Sequence, residues 1–531
     1  MEFVAEETKE NDVNSYDETP YSSFPYAKSS PGNLKTLGRL FGMNPPTVET
    51  ARVLELGCAE GGNIIPHAIK YPRAEFIGVD LSKVQIDAGK VHIEKMGLKN
   101  IELKHMSLVD IDQTFGKFDY IICHGVFSWV PDFVKDKIFE VCSKNLSSEG
   151  VAYISYNTLP GWNMIRTIRD MMLYHTQQFN APEEKVSQSR ILLNFINDAL
   201  TGSESPYAVT LKKEAELLSK CGDHYLMHEH LEENNKQYYF SEFMAEAEKH
   251  DLQYLSDCAL STMYLDNMPK RAAEKLAGIG SLVRAEQYMD FINNRRFRRT
   301  LLCHKGVKLN RGIDKSIVRE FAMSMRLFVE KPLAEVSIET SELMHFYLDK
   351  KKEDSVSTTS PAMKAILYTL AENQNNPLEF DDIVRQANEK VKAVEPAEIA
   401  AKLEEQAVPL LFKGILEFSS EAGNYHKVNL DKPKLSKIAY YQITDTSNEW
   451  VTNGVHDTVP IGYFDKLAGQ HMNGENTVPQ ILEKMMETVK TRKLTIEVDK
   501  KLITDHEELK QYLQKRLDSI IRKFFIKALF I

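Results

Sequence analysis

VLELGCAEGGN, residues 53–63, is the stretch whose reading decides the fold. Its first half is an apolar run of strand length; its second half is a turn carrying Gly57, Gly61 and Gly62. Glycines there let backbone approach a ligand closely, where a Cβ would clash. Working outward, short β-rich runs (ARVLELG, AEFIGVD, NIELKHM, FDYIICHGV, GVAYISY) alternate with helical segments up to residue 156. That alternation predicts a parallel sheet built from βαβ units. Residues 158–240 lose the strand signal and read as helical. An αβ pattern then returns, in FMAEAEKHDLQYLSD (243–257) and RFRRTLLCH (296–304). If both strands join the same sheet, the α/β domain runs to about residue 305 around a helical insertion.

A glycine turn of this layout binds either a dinucleotide or S-adenosylmethionine. Glu55, two residues before the first glycine, favours the second, because a carboxylate there can accept from an ammonium group. Ala59 stands where a more complete glycine turn has its middle glycine. Asp80 ends the second strand and can take both hydroxyls of a ribose; its alternative is to cap the next helix. Met106 and Ser107 follow the third strand, where they border an adenine or simply make a strand-end turn. His124, Gly125, Phe127 and Trp129 follow the fourth strand, on the side where ligands of open α/β sheets bind. Every one of these cofactor motifs lies at or before Gly125, so residues from 350 onward are expected to be dispensable for cofactor binding.

The 531 residues suffice for several domains. Lys plus Arg number 66 against 76 Asp plus Glu, a net charge of −10, which gives no global attraction to nucleic acid or an anionic membrane. Six scattered cysteines with no CxxC pair fit a reducing compartment. The acidic start MEFVAEETKEND lacks the apolar core of a signal peptide, and no apolar run is long enough to span a membrane. A cytoplasmic, soluble protein is expected. His224, His228 and His230 have a spacing that could ligate metal, but without HExxH or a cysteine cluster they read as packing a helix start, so no metal is expected. No N-P-P-Y follows the fourth strand and no Pro-Cys dipeptide occurs, which disfavours amino-group chemistry on adenine or glutamine and cytosine C5 chemistry.

YDETPYSSFPY (16–26), ELGCAEGGN (55–63), HGVFSWVP (124–131) and SYNTLPGW (155–162) together resemble class I S-adenosylmethionine-dependent methyltransferases that carry a methyltransferase regulatory domain. Residues 224–305 resemble that regulatory domain, and the whole layout is similar to the rickettsial protein-lysine methyltransferases that modify outer membrane protein B. The implied fold is a Rossmann-like α/β sheet with a large helical insertion, followed by α+β winged-helix-like and C-terminal domains. The expected divisions are an N-terminal lid (1–45), a cofactor core (46–157), a helical insertion and possible dimer surface (158–223), the regulatory segment (224–305), a helical linker (306–360), a winged-helix-like segment (361–430) and a C-terminal domain (431–531), with KKKEDSVSTTSP at 350–361 as the clearest boundary.

The resemblance implies S-adenosylmethionine as cofactor, with Glu55, Gly57, Gly61 and Asp80 holding it. Asn63, Leu81, Gln85, Met106, Ser107, His124 and Gly125 extend that set. Among aromatics, Tyr21 is expected at the methyl donor and Trp129 on the opposite wall of a lysine channel, with Tyr16, Phe127 and Tyr156 nearby. The expected partner is a protein substrate, outer membrane protein B by resemblance, in a homodimeric enzyme without nucleic acid. Residues 361–430 hold seven basic and eleven acidic residues, which argues against DNA. Methylation of a small molecule or RNA, or a non-catalytic cofactor-binding scaffold, are the alternatives.

Overall fold

The computed structural model describes residues 23–232, 234–349, 351–352, 355–423, 428–445, 447–498, 501–503 and 505–531. Tyr16 and Tyr21 lie outside the described residues.

Seven strands form one mixed sheet in the order β3-β2-β1-β4-β5-β7-β6. They are β1 (Arg52–Leu56), β2 (Glu75–Asp80), β3 (Ile101–His105), β4 (Phe118–Cys123), β5 (Leu146–Asn157), β6 (Leu252–Asp257) and β7 (Phe297–His304). The first five run parallel, and β7 lies antiparallel between β5 and β6. Helices cover both faces, so β1, β4 and β5 carry nearly continuous apolar runs instead of alternating ones. The expectation that the two late strands complete the first sheet therefore holds. Arg298 of β7 ties this addition down: its buried guanidinium meets Asp290 at 2.7 Å and Glu286 at 3.0 Å and lies 3.6 Å from the centre of the Phe240 ring.

Between β5 and β6 the helices Trp162–Thr176, Pro182–Ala199 and Pro206–Ser219 close on a small core of their own, around Met172, Leu193, Leu211 and Leu218. Chain order beyond β7 departs from expectation. Ser355–Thr358, inside the expected linker, forms a strand paired with Met344–Tyr347. The three helices Pro361–Glu372, Phe380–Lys390 and Pro396–Phe412 do occur, but the strand after them, Leu416–Ser419, pairs back to Ala322–Met325. Among the described residues no partner strand follows it in a hairpin. Ile366, Leu403 and Phe418 share one apolar cluster with Val53, Phe76 and Ile122 of the sheet, so this segment has no core separate from the sheet. Residues 431–531 do have their own core, built on Leu435, Val451, Met485, Leu517 and Phe524. It docks on the sheet domain through Ile438 against Ile65 and Met96, with Lys437 Nζ donating to the Met96 carbonyl at 2.7 Å.

Candidate active site

The strand order runs outward in opposite directions from β1 and β4, and ligands of open α/β sheets bind at the C-terminal ends of strands at such a point. A cavity of about 560 Å³ lies there. Its inner wall includes Glu55, Gly57, Ala59, Asn63, Asp80, Leu81, Gln85, Ser107, His124 and Gly125. The structure thus brings nine of the sequence-predicted residues together with Ala59.

Gly57 has φ +74°, and a Cβ on it would stand 2.3 Å from Val126 Cγ2, so only glycine fits. Gly61 shapes the turn by donating to the Cys58 carbonyl at 2.9 Å but does not line the cavity. A Cβ on Gly62 would meet the Ser23 carbonyl oxygen at 2.2 Å: this glycine admits the protein's own N-terminal segment. Ala59 adopts φ +48°, the left-handed region that its replacement of glycine makes costly. Asp80 holds it there, accepting from Ala59 N–H at 2.8 Å and from Ser82 N–H at 2.9 Å. The next helix is capped by Ser82, not Asp80.

Glu55 is buried, and one carboxyl oxygen accepts from Asn63 Nδ2 at 2.6 Å. Its second oxygen, Oε2, is buried with no hydrogen-bond partner. Burial, only partly offset by Asn63, pushes this carboxyl up to about 8. Asn63 Oδ1 in turn accepts from the Tyr26 backbone N–H at 2.9 Å and approaches His456 Nε2 at 2.9 Å. His124 Nδ1 meets the Tyr153 hydroxyl at 2.7 Å and its ring lies 3.8 Å from that of Tyr26; burial, then the Arg299 charge, pushes it down to about 3, so the ring is neutral.

The outer wall comes from later chain. Trp129 lies there, edge-on to Trp162, with Ile165 and Leu217 of the insertion, Tyr225, and Phe297 of β7. Glu214 and Glu229 line it too, and Glu214 holds Arg296 at 2.5 Å. Three site expectations change. Phe127 and Tyr156 are buried in the core, where Tyr156 stacks on Phe243 at 4.0 Å and Phe127 packs edge-on against the same ring. Met106 packs against that core as well. Tyr156 lies on β5 within that core, and Phe127 opens the short 3-10 helix Phe127–Trp129, which turns its ring inward. Sequence reasoning missed Ser23, Phe24, Glu214, Tyr225, Glu229 and His456. The signal nearest to hand was HYLMHEHL, read only for metal spacing; it contains a π-helix, Met227–Leu231, an irregularity frequent at functional sites.

Glycine turn, strand-end carboxylates and switch-point cavity define a class I methyltransferase. Family models agree: a methyltransferase domain matches residues 48–239, a predicted methyltransferase regulatory domain 222–304, and a PKMT C-terminal winged-helix domain 431–529. The winged helix is thus assigned one segment later than the helical order of 361–430 suggests. The Rickettsia prowazekii protein RP789 is 50% identical over 521 residues, covering 98% of this chain and 94% of that one. RP028 of the same organism is 49% identical over 247 residues, 46% of this chain and 99% of its own. PKMT2 from Rickettsia typhi, solved in complex with AdoHcy, superposes with a TM-score of 0.88 at 39% identity, covering 96% of this chain and all of that one. The chain belongs to the PKMT family, class I methyltransferases whose methyl donor is S-adenosylmethionine.

The inner wall fits that cofactor. The bare Glu55 oxygen calls for a donor such as the amino group of the methionine moiety, and Asp80 places a carboxylate on the cavity wall at the end of β2, where a ribose hydroxyl can donate to it. Asp80→Ala should lower AdoHcy affinity roughly ten- to a hundredfold, the worth of a charge-assisted hydrogen bond. Because two backbone amides lose their acceptor as well, thermal stability should fall with it. Calorimetry giving wild-type affinity in the folded variant would remove Asp80 from the site.

Proposed function

We propose that the protein transfers the methyl group of S-adenosylmethionine to lysine side chains of a protein substrate, outer membrane protein B by the resemblance described above. The observation that supports this reading is the two-ended cavity: a carboxylate-and-glycine inner wall continues into an aromatic, acidic outer wall. When bound, the cofactor supplies an electrophilic methyl on sulfur. Glu55 would hold its amino group, Asp80 its ribose, and Leu81 and Ser107 would border its adenine. Ser23, Phe24 and Tyr26 lie along the glycine turn, which supports the reading of the N-terminal segment as a lid. Tyr16 and Tyr21, which lie outside the described residues, belong to the same proposal.

A lysine amine must lose its proton before it attacks, which at pH 7 costs roughly 4.6 kcal/mol from a pKa near 10.4. Glu229 contributes negative charge to the outer wall, beside the neutral Glu214–Arg296 pair, and would attract the ammonium. Trp129, Trp162 and Phe297 then strip water from it, which disfavours the charged form. Positioning and water exclusion are the main tasks in an in-line displacement, so no dedicated base is required. RNA is less well served: Arg296, the arginine of the outer wall, is held by Glu214. The cysteines described are all free, as a reducing, cytoplasmic setting would have it. No described helix is long and apolar enough to cross a membrane. We also propose that the insertion mediates homodimer formation, because Tyr174, Ile191 and Phe195 expose large apolar surfaces on its helices.

Four outcomes are expected. Labelled methyl transfer should place label on lysine side chains of recombinant outer membrane protein B fragments, identified by peptide mass spectrometry. Trp129→Ala should cut that turnover at least tenfold while AdoHcy binding persists, as loss of a positioning wall does. Label confined to RNA or to small molecules overturns the lysine reading. Next, because Glu55 keeps its proton up to about pH 8, a neighbouring ammonium should drive that proton off. Calorimetry at pH 7 in buffers of different ionisation enthalpy should show close to one proton released on AdoHcy binding, and none in Glu55→Gln; no release in the wild type removes the contact. Finally, sedimentation should show a dimer that Phe195→Glu dissociates, and a concentration-independent wild-type monomer rejects the interface.

A further inference from the structure

One residue from the far end of the chain backs the cofactor wall, reaching Asn63 without lining the cavity itself. His456 lies between the strands Trp450–Thr452 and Thr458–Pro460, in the segment matched by the winged-helix model. Its loop is held rigidly. Asn453 Oδ1 accepts from the N–H groups of Val455 and Asp457 at 3.1 and 2.8 Å, and Gly454 N–H donates to the Ala528 carbonyl at 2.8 Å. The loop inserts the buried His456 ring against the cofactor domain, stacked on His67 with centroids 3.8 Å apart. His456 Nε2 then meets Asn63 Oδ1 at 2.9 Å.

Asn63 can satisfy its surroundings in one orientation only. Its oxygen faces the Tyr26 N–H and His456 Nε2, so its Nδ2 faces Glu55, which it reaches at 2.6 Å. For that contact to be attractive, His456 must carry its proton on Nε2. The Tyr26 N–H and the His456 donor together hold the Asn63 amide in that orientation, and the amide fixes which Glu55 oxygen is spent inside the protein and which, Oε2, is left without a partner.

We propose that His456 is a positioning residue of the cofactor site: through Asn63 it aims the bare oxygen of Glu55 at the amino-acid end of the cofactor, making the C-terminal domain a working part of the methyl-donor pocket. This rests on the reading that Glu55 binds the methionine amino group. It also runs against the expectation that residues from 350 onward are dispensable for cofactor binding.

The test compares two ligands by calorimetry on the full chain: AdoHcy, and 5′-methylthioadenosine, which keeps adenine, ribose and sulfur but lacks the amino and carboxylate groups. His456→Phe keeps a ring over His67 and removes the donor; His456→Gln keeps a donor and removes the ring. His456→Phe should weaken AdoHcy about tenfold, the worth of one hydrogen bond of roughly 1.4 kcal/mol, and leave methylthioadenosine unchanged. His456→Gln should retain AdoHcy affinity. Should His456→Phe fail to fold in a thermal scan, His456→Leu is read in its place. Equal losses for both ligands, or unchanged AdoHcy affinity without the donor, overturn the proposal. Glu55→Gln separates the two readings. If it abolishes the preference for AdoHcy while His456→Phe keeps it, the relay fails and the Glu55 assignment stands. If Glu55→Gln keeps the preference, the Glu55 assignment fails and the relay falls with it.

Discussion

A carboxyl group placed in a dry wall is the constraint on which the rest of this structure depends. Glu55, the penultimate residue of the first strand, has one oxygen paired and one bare, so the fold must both shield it and keep a path to it. An isolated charge there would be very costly, and the carboxyl responds by holding its proton to about pH 8. Asn63 meets the shielding requirement with one amide whose other side is occupied by the N-terminal segment and by His456. The path is the cavity itself, walled further out by the helical insertion and the regulatory segment.

Asp80 does the complementary work on the neighbouring strand. Its two oxygens clamp the glycine turn to the loop after β2, and this holds Ala59 at a positive φ that alanine does not favour. The turn therefore survives the loss of its middle glycine because a carboxylate compensates for it. The same geometry explains why the second strand needs to end on an acid even before any ligand arrives.

The catalytic sheet was largely legible in the chain. Apolar runs bounded by glycine and by Asp80 marked strands, and their register with the turn followed from spacing alone. RFRRTLLCH reads as a strand despite three arginines; in the structure Arg298 is paired with Glu286 and Asp290 inside the core. Side-chain direction just past the strand ends was not legible. Phe127 faces the core and Trp129 the cavity although only Ser128 separates them, because the short 3-10 helix Phe127–Trp129 breaks the alternation of a strand. Long-range partners were equally hidden. Nothing local to His456 marks it as a neighbour of Asn63, 393 residues away, and the strand Leu416–Ser419 gives no sign that it pairs backward to Ala322–Met325.

The apolar cluster that joins Val53 and Phe76 to Ile366 and Leu403 has a consequence for how the protein comes into being. The sheet leaves the ribosome early, yet the apolar cluster on one of its faces is not complete until the helices Pro361–Glu372 and Pro396–Phe412 have been made. Asn63 gains its last partner only when residue 456 follows them. The nascent chain thus carries an unfinished sheet through most of its synthesis, and that exposed face is where a chaperone would meet it.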